Sequence, residues 1–137
     1  MSGEGEKVER VERARAYLNQ SLKYLENAFK ASKDGEPEKV GEFLWGSVAT
    51  ALKALVMAMK GMEVKSHGQL WEIARELTRE TGDLSIYEAF KEANFLHINF
   101  YEFRLSLDDV KSSAERIARL VEKLMDLTEE ALKESEP

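Results

Sequence analysis

The sequence contains no cysteine, and this absence removes several kinds of chemistry at once. Disulfides, thiolate metal sites and cysteine nucleophiles all need a residue that the chain lacks. The two histidines and two prolines are equally sparse, and no glycine-rich phosphate loop or nucleophile-elbow motif occurs. Because residues 1–6 hold no apolar run, we expect no signal peptide, and the composition fits a reducing cytoplasm.

Strand-forming runs of Val, Ile and Thr are scarce, whereas Glu, Lys, Leu and Ala are abundant. This balance predicts an all-α protein. With 137 residues the chain is long enough for one domain and too short for two ordinary ones. Its net charge of -6 disfavours broad attraction to nucleic acid or to an anionic membrane, so any RNA contact would have to be local.

Apolar residues recur at helical spacing in five segments, which predicts a five-helix antiparallel up-and-down bundle. We expect a disordered N-terminus at 1–6 and a single domain at 7–134. The predicted helices cover about 6–33, 37–60, 67–81, 85–105 and 107–133. Their ends follow from glycines suited to helix C-caps and from capping pairs, which are Gly35, Gly61, Gly82, Ser66 with Gln69, Ser85 with Glu88, and Ser106 with Asp109.

The first two predicted helices carry more apolar surface than one bundle needs. Helix one has two adjacent seams, the first formed by Val11, Leu18, Leu22, Leu25 and Phe29 and the second by Ala14, Tyr17, Ser21, Tyr24, Ala28 and Ala31. Helix two has Lys53 as its one charge between Phe43 and Met59, and its many small residues allow close helix approach. Together these surfaces predict a homodimer. A membrane span is disfavoured by the short apolar run, by Lys53 and by the charged neighbouring helices.

A row of polar side chains marks the fourth predicted helix. Asn94, His97, Tyr101 and Arg104 follow one another at spacings of three, four and three, beside an apolar face that holds Phe90, Ala93, Leu96, Phe100 and Phe103. His97 is a candidate acid or base that Asn94 and Tyr101 would orient, and Arg104 is a permanent cation for a phosphate. The row is therefore either a site for RNA or a nucleotide, or a structural hydrogen-bond network at a dimer seam.

Other residues of interest receive simpler interpretations. A di-iron carboxylate bundle needs Glu-x-x-His, but Asn94 stands three residues before His97 and Val64 three before His67. We therefore expect no metal and no cofactor. His67 is interpreted as a residue of the helix-cap region, and the two tryptophans, Trp45 and Trp71, as anchors of the core or of an interface.

Several short motifs resemble the archaeal PaREP1 family of small helical proteins. They are Gly41-Glu42, Trp45-Gly46, Lys53-Ala54, Ser66-His67, Leu70-Trp71 and the run from Ala93 to Glu102, whose most specific part is Leu-His-x-Asn-Phe-Tyr-Glu. That family is grouped with the HEPN superfamily of antiparallel bundles, many of which are dimeric RNases of toxin-antitoxin systems. The resemblance implies a HEPN-like domain with the His-bearing helices near the two-fold axis. It adds Asn99 and Glu102 to the candidate binding residues.

One position departs from the HEPN ribonuclease pattern, in which an Arg precedes the His by a few residues. Here Glu92 and Lys91 stand five and six residues before His97. Lys91 is a candidate substitute, and Arg104 is another if the partner subunit supplies it. The sequence thus predicts a HEPN-like bundle that binds RNA, a nucleotide or a partner protein through the polar row on helix four, with a degenerate RNase motif. The alternatives are a non-catalytic interaction module, an active toxin-like RNase, and an antitoxin-like partner of a nucleotidyltransferase.

The ligand spacing leads to a first prediction, which concerns metal content. Protein prepared without a histidine tag should contain no stoichiometric zinc, iron or manganese, because residues of the right type and spacing are missing. Elemental analysis measures this directly. One metal ion per chain would overturn the argument from Asn94.

Overall fold

Five helices make up the fold. The structure is a computed structural model that describes the backbone of residues 3–103 and 106–135 and the side chains of residues 3–98 and 106–134. The helices are α1 Gly3–Lys33, α2 Pro37–Lys60, α3 His67–Thr81, α4 Leu84–Phe103 and α5 Leu107–Ser135. The predicted all-α class and five-helix bundle are confirmed, and no strand occurs in the described part of the chain.

The helix ends follow local sequence closely. Ser66 and Gln69 form the predicted capping box of α3, and Gly61 and Gly82 adopt the left-handed conformation after α2 and α3. At the start of α4 it is Asp83 that accepts a hydrogen bond from the Ser85 amide, at 2.9 Å. α1 already begins at Gly3, so residues 3–6 are helical where the sequence predicts disorder. Acidic residues in that first turn interact favourably with the helix dipole.

The second helix is the centre of the bundle. α2 packs against each of the other four helices. Its three leucines, Leu44, Leu52 and Leu55, are at most 1% exposed, and burial of each contributes about 1.5–3 kcal/mol. Among the described residues α2 alone is long and apolar enough to cross a membrane, but 67% of that window is buried in the bundle. Burial against four helices therefore explains its apolar composition.

Small residues let α1 and α2 approach closely. Ser21 and Ser47 are fully buried, and each hydroxyl donates to the other residue's backbone carbonyl, at 2.7 and 2.9 Å. At the position next to Ser47, a Cβ atom added to Gly46 would lie 3.1 Å from the ring of Tyr24. The small surface of α2 is thus used inside the chain, and the second seam of α1 is the one that covers it.

The third helix does not alternate in direction with its neighbours. The ring of His67, at the start of α3, contacts Trp45, and Glu76 near its end lies 3.9 Å from Lys60. α3 therefore runs parallel to α2, whereas α4 runs antiparallel to both. The connector 61–66 makes this direction feasible, since six extended residues span about 20 Å and fifteen helical residues rise about 22 Å.

The contact between α1 and α2 generates a stability prediction. Ser47→Leu should lower the free energy of unfolding by about 3 kcal/mol, because the larger side chain overpacks a closed contact and removes buried hydrogen bonds. In a domain of this size that loss corresponds to a melting temperature lower by roughly 10 °C. The same substitution at the exposed Ser112 is the control, and an equal effect at both positions in thermal melts would contradict the close contact.

Candidate functional site

The fourth helix presents its apolar face to the bundle as predicted. Phe90, Ala93 and Leu96 are buried, Asn94 is half-buried and His97 is exposed. A side chain at Gly41 would lie 3.5 Å from the Leu96 Cβ, which shows how closely α4 crosses the first half of α2. This crossing places His97 beside the next turns of α2.

Both histidines meet at Trp45. The ring centroid of Trp45 lies 5.4 Å from that of His97, with the planes 17° apart, and 5.1 Å from that of His67. Phe90 packs against the same indole at 5.6 Å. Trp45 itself is 9% exposed, whereas both imidazoles are exposed. The interpretation of Trp45 as an anchor is therefore incomplete, because it also positions two polar rings at the surface.

Asn94 contacts the histidine of the other helix. Its Oδ1 lies 3.1 Å from Nε2 of His67, so the described partner of Asn94 is His67 and not His97, which it was expected to orient. We refer to Trp45, His67, Asn94 and His97 as the histidine cluster. It joins residues of α2, α3 and α4, and each is held by at least one contact with another member.

His67 is the member that local sequence reasoning misses. It is the first residue of α3, directly after the Ser66 cap, so its assignment to the cap region is correct as far as it goes. No residue next to His67 in the sequence indicates a contact with Trp45. A signal did exist in the family resemblance, because Trp45, His67, Asn94 and His97 all lie in the motifs that carry it.

The connector 61–66 delivers His67 to the cluster by running back along α1. Oε1 of Glu63 accepts a hydrogen bond from Arg13 Nη1 at 2.9 Å, and Oε2 accepts one from the Tyr17 hydroxyl. That hydrogen bond, with burial and the Glu63 charge, raises the pKa of Tyr17. Two donors from α1 therefore fix the path of the connector.

Glu92 lies on the side of α4 that faces α5, whereas Lys91 lies over the ring of Tyr87, which packs against Trp71 of α3. Lys91 Nζ lies 3.5 Å from Glu88 and 5.0 Å from the ring centre of Tyr87. Glu92 accepts hydrogen bonds from Ser113 at 2.6 Å and from Arg116 Nε at 2.8 Å. These two positions line a groove of about 1050 Å³ between α4 and α5, to which no member of the histidine cluster contributes.

The remaining candidate residues lie outside the described part. The side chains of Asn99, Tyr101 and Glu102, and the whole of Arg104, are not among the described residues. Within the residues that are described, no group of three His, Cys, Asp or Glu side chains is placed to hold a metal ion. The histidine cluster provides two imidazoles and one amide.

The electrostatic setting of the cluster favours an anion. α3 is a 15-residue helix whose first turn contains no acidic residue, so the positive end of its dipole at His67 is not neutralised locally. Of the first amides of α3, that of Gln69 donates to the Ser66 cap, and those of His67 and Gly68 have no intrahelical partner. Exposed imidazoles beside such an end can donate to phosphate or carboxylate oxygens, or exchange a proton with them.

The fold and the cluster define a helical-bundle protein with an exposed polar site on its central helices. Residues 16–121, from α1 into α5, match the archaeal PaREP1/PaREP8 family, and the chain belongs to that family. This confirms the resemblance to PaREP1 found in the sequence motifs.

Two curated plant enzymes are similar to part of the chain. Germacrene A hydroxylase of Helianthus annuus is 30% identical over 90 residues, and amorpha-4,11-diene 12-monooxygenase of Artemisia annua is 29% identical over 90 residues. Each match covers 66% of this chain but 18% of the enzyme. Because the chain spans less than a fifth of their length, their activities are not transferred to it. No solved structure matches.

The contact between Glu92 and Arg116 generates a prediction about acid stability. Burial raises the pKa of Glu92, but hydrogen bonds from Arg116 and Ser113 outweigh it and hold that pKa below its ordinary value of 4.5. A lowered folded-state pKa stabilises the protein above the ordinary value, and this contribution is lost as the pH falls through the folded-state pKa. The parent should therefore lose stability below about pH 4.5, and Glu92→Gln should lose less.

Thermal melts between pH 3 and 7 measure this difference. Glu122→Gln is a matched control, because Glu122 is an exposed glutamate on α5. The control should follow the parent curve. An identical pH dependence in the parent and in Glu92→Gln would contradict the assigned pairing.

Proposed function

We propose that this protein binds RNA or a nucleotide through the histidine cluster. One observation carries the proposal, which is the convergence of two exposed imidazoles and the N-terminus of α3 beside Trp45. We place this activity in a cytoplasmic, HEPN-like homodimer, in keeping with the family resemblance.

Phosphate is the chemical group that RNA and nucleotides share. Because Asn94 Oδ1 accepts from Nε2 of His67, His67 would donate to phosphate from Nδ1 in its protonated form. The ring N–H of His97 and the amides of His67 and Gly68 are further donors of the kind that bind phosphate oxygens. The net charge of -6 supplies no general attraction, so affinity would depend on this local geometry and fall with added salt. These features favour selective binding over the diffuse binding of a basic protein.

Exposure supports a ligand site over a purely structural network. A buried network would leave partners unpaired when one member is removed, at about 1–3 kcal/mol for each. Here both imidazoles are exposed and Asn94 is half-buried, so water can replace a lost partner. The cluster therefore contributes little to the stability of the fold, and its polar groups are available to a ligand.

Binding is proposed in preference to cleavage. Phosphodiester cleavage needs a cation at the transition-state phosphate in addition to an acid and a base. Lys91 contacts Tyr87 and Glu88 of its own helix, and Glu92 is neutralised by Arg116 of α5. Neither described residue meets the histidine cluster, which agrees with a degenerate RNase motif.

A second candidate function is a non-catalytic interaction module. It is favoured by the apolar side chains that flank His97, because Phe95 is 41% exposed and Ile98 is 58% exposed. A partner protein of the nucleotidyltransferase type would bind this surface of α4 by apolar contact. Such binding would not depend on His67, which is what separates it from the first proposal.

The proposal is tested by titrating a labelled single-stranded RNA and, separately, ATP into the parent, His67→Ala and His97→Ala. Each substitution should weaken binding about ten-fold or more, because one charge-assisted hydrogen bond contributes about 1.5–3 kcal/mol. Melting temperatures should change by no more than about 2 °C, as expected for exposed residues.

The control variant is Gln20→Ala, an exposed neutral substitution on α1 that should leave binding unchanged. A parent that binds neither ligand, or histidine variants that melt several degrees lower with unaltered binding, would refute the proposal. Cleavage of the RNA during the titration would instead establish the active-RNase alternative.

A further inference from the structure

A groove lies between α3 and α5 at the end of the bundle where α2 also ends. Among the described residues α3 and α5 do not contact each other, so the last turns of α2 line the space between them. The groove has a volume of about 280 Å³, and its apolar lining consists of Leu55, Ala58, Met59, Leu77, Leu127 and Ala131. A smaller part of about 40 Å³ continues it along α3 to Ile73. We call the two parts together the α3–α5 groove.

Met59 is the large apolar side chain that the α3–α5 groove leaves exposed. It is 49% exposed, whereas Leu55 and Leu77, which line the same groove, are 1% and 6% exposed. A methionine at such a place adapts its shape to the apolar side chains of a partner helix. From Ile73 to Thr81 the groove extends about 12 Å along α3, which is the length of two helical turns. These dimensions suit a short helical segment.

The rim of the α3–α5 groove is acidic. Glu80 of α3 lines one side, and Glu130 and Glu134 of α5 line the other. All three are exposed, and none of them forms an ion pair with another described residue. The cation that lines the groove, Lys60, lies 3.9 Å from Glu76, which also lines it. The three glutamates are therefore available to cations of a partner.

We propose that the α3–α5 groove binds a basic amphipathic helix of a partner protein. In such a complex an apolar side chain of the partner packs on Met59. Lys or Arg side chains that flank it pair with Glu80 and Glu130 on the two sides of the groove. Apolar contact contributes affinity, and the paired charges select the partner and its orientation.

The acidic rim disfavours other occupants. RNA and anionic membrane surfaces would be repelled by the glutamates. A second copy bound through the same groove would place these glutamates against one another, and like charges at an interface weaken binding. The charges therefore favour a basic partner protein over RNA, a membrane or a second copy.

The α3–α5 groove is separate from the histidine cluster. Met59 follows Trp45 by fourteen residues on α2, which corresponds to about 21 Å along the helix. The groove is also on different helices from Phe95 and Ile98, the exposed apolar side chains of α4. Binding at the groove therefore does not depend on the histidine cluster or on the exposed face of α4.

The proposal is tested with a labelled, designed peptide of about 18 residues that contains only Leu and Lys, with Leu at helical spacing. Fluorescence anisotropy should show saturable binding of this peptide to the parent. A peptide with Glu in place of Lys should not bind, and neither should a Leu/Lys peptide of scrambled order. No saturable binding of the designed peptide, or equal binding of the scrambled one, would overturn the proposal.

Two variants locate the binding. Met59→Glu should weaken it about ten-fold or more, because a charge would replace the apolar contact at the centre of the groove. Glu80→Gln/Glu130→Gln should weaken it about five-fold and reduce its dependence on salt, as expected for the loss of two exposed ion pairs. Met62→Glu and Glu72→Gln are the matched controls and should bind like the parent. Both positions are exposed, and neither lines the groove.

Stability and mass complete the test. The double glutamine variant should melt like the parent, because both positions are exposed. Unaltered peptide binding in that variant, or an equal loss of binding in the two control variants, would refute the assigned groove. In light scattering Met59→Glu should have the mass of the parent. A smaller mass would assign the groove to a second copy of this chain and so also overturn the proposal.

Discussion

Burial of α2 on all sides is the constraint on which the rest of the structure depends. The seventeen positions from Phe43 to Met59 contain one charge, so exposing this helix to water would destabilise the fold. The other helices must therefore surround it. α1 covers one face through the Ser21 and Ser47 contact, and α4 crosses another at Gly41. Small residues at these crossings allow the approach. The arrangement of the other helices around α2 follows from that requirement.

The connector 61–66 brings His67 next to residues of α2 and α4 and so completes the histidine cluster. A strictly alternating bundle would put the start of α3 next to the end of α2, far from Trp45. Glu63, held by Arg13 and Tyr17, leads the chain back along α1 instead, and His67 then lies 3.1 Å from Asn94. The histidine cluster thus depends on residues that carry no chemistry of their own. Its two rings stay exposed because Trp45 fills the space beneath them.

The two sides of α4 have different physical characters. Toward α2 and α3 it carries Asn94 and His97, whose neighbours are aromatic. Toward α5 it carries Glu92, which Arg116 and Ser113 satisfy. A short stretch therefore serves stability on one face and presents a polar surface on the other.

Periodicity and capping residues in the sequence determined the five helices, their ends near Gly61, Gly82 and Ser66, and the inward face of α4, because these depend on neighbours within a few residues. The direction of α3, the contact of His67 with Trp45 and Asn94, and the pairing of Glu92 with Arg116 came only from the tertiary structure. Residues 45, 67 and 94 are far apart in the chain. The spacing of residues within one helix cannot predict a contact that depends on the path of the connector 61–66. Such contacts depend on how whole helices cover α2, which is a property of the packed chain rather than of any segment.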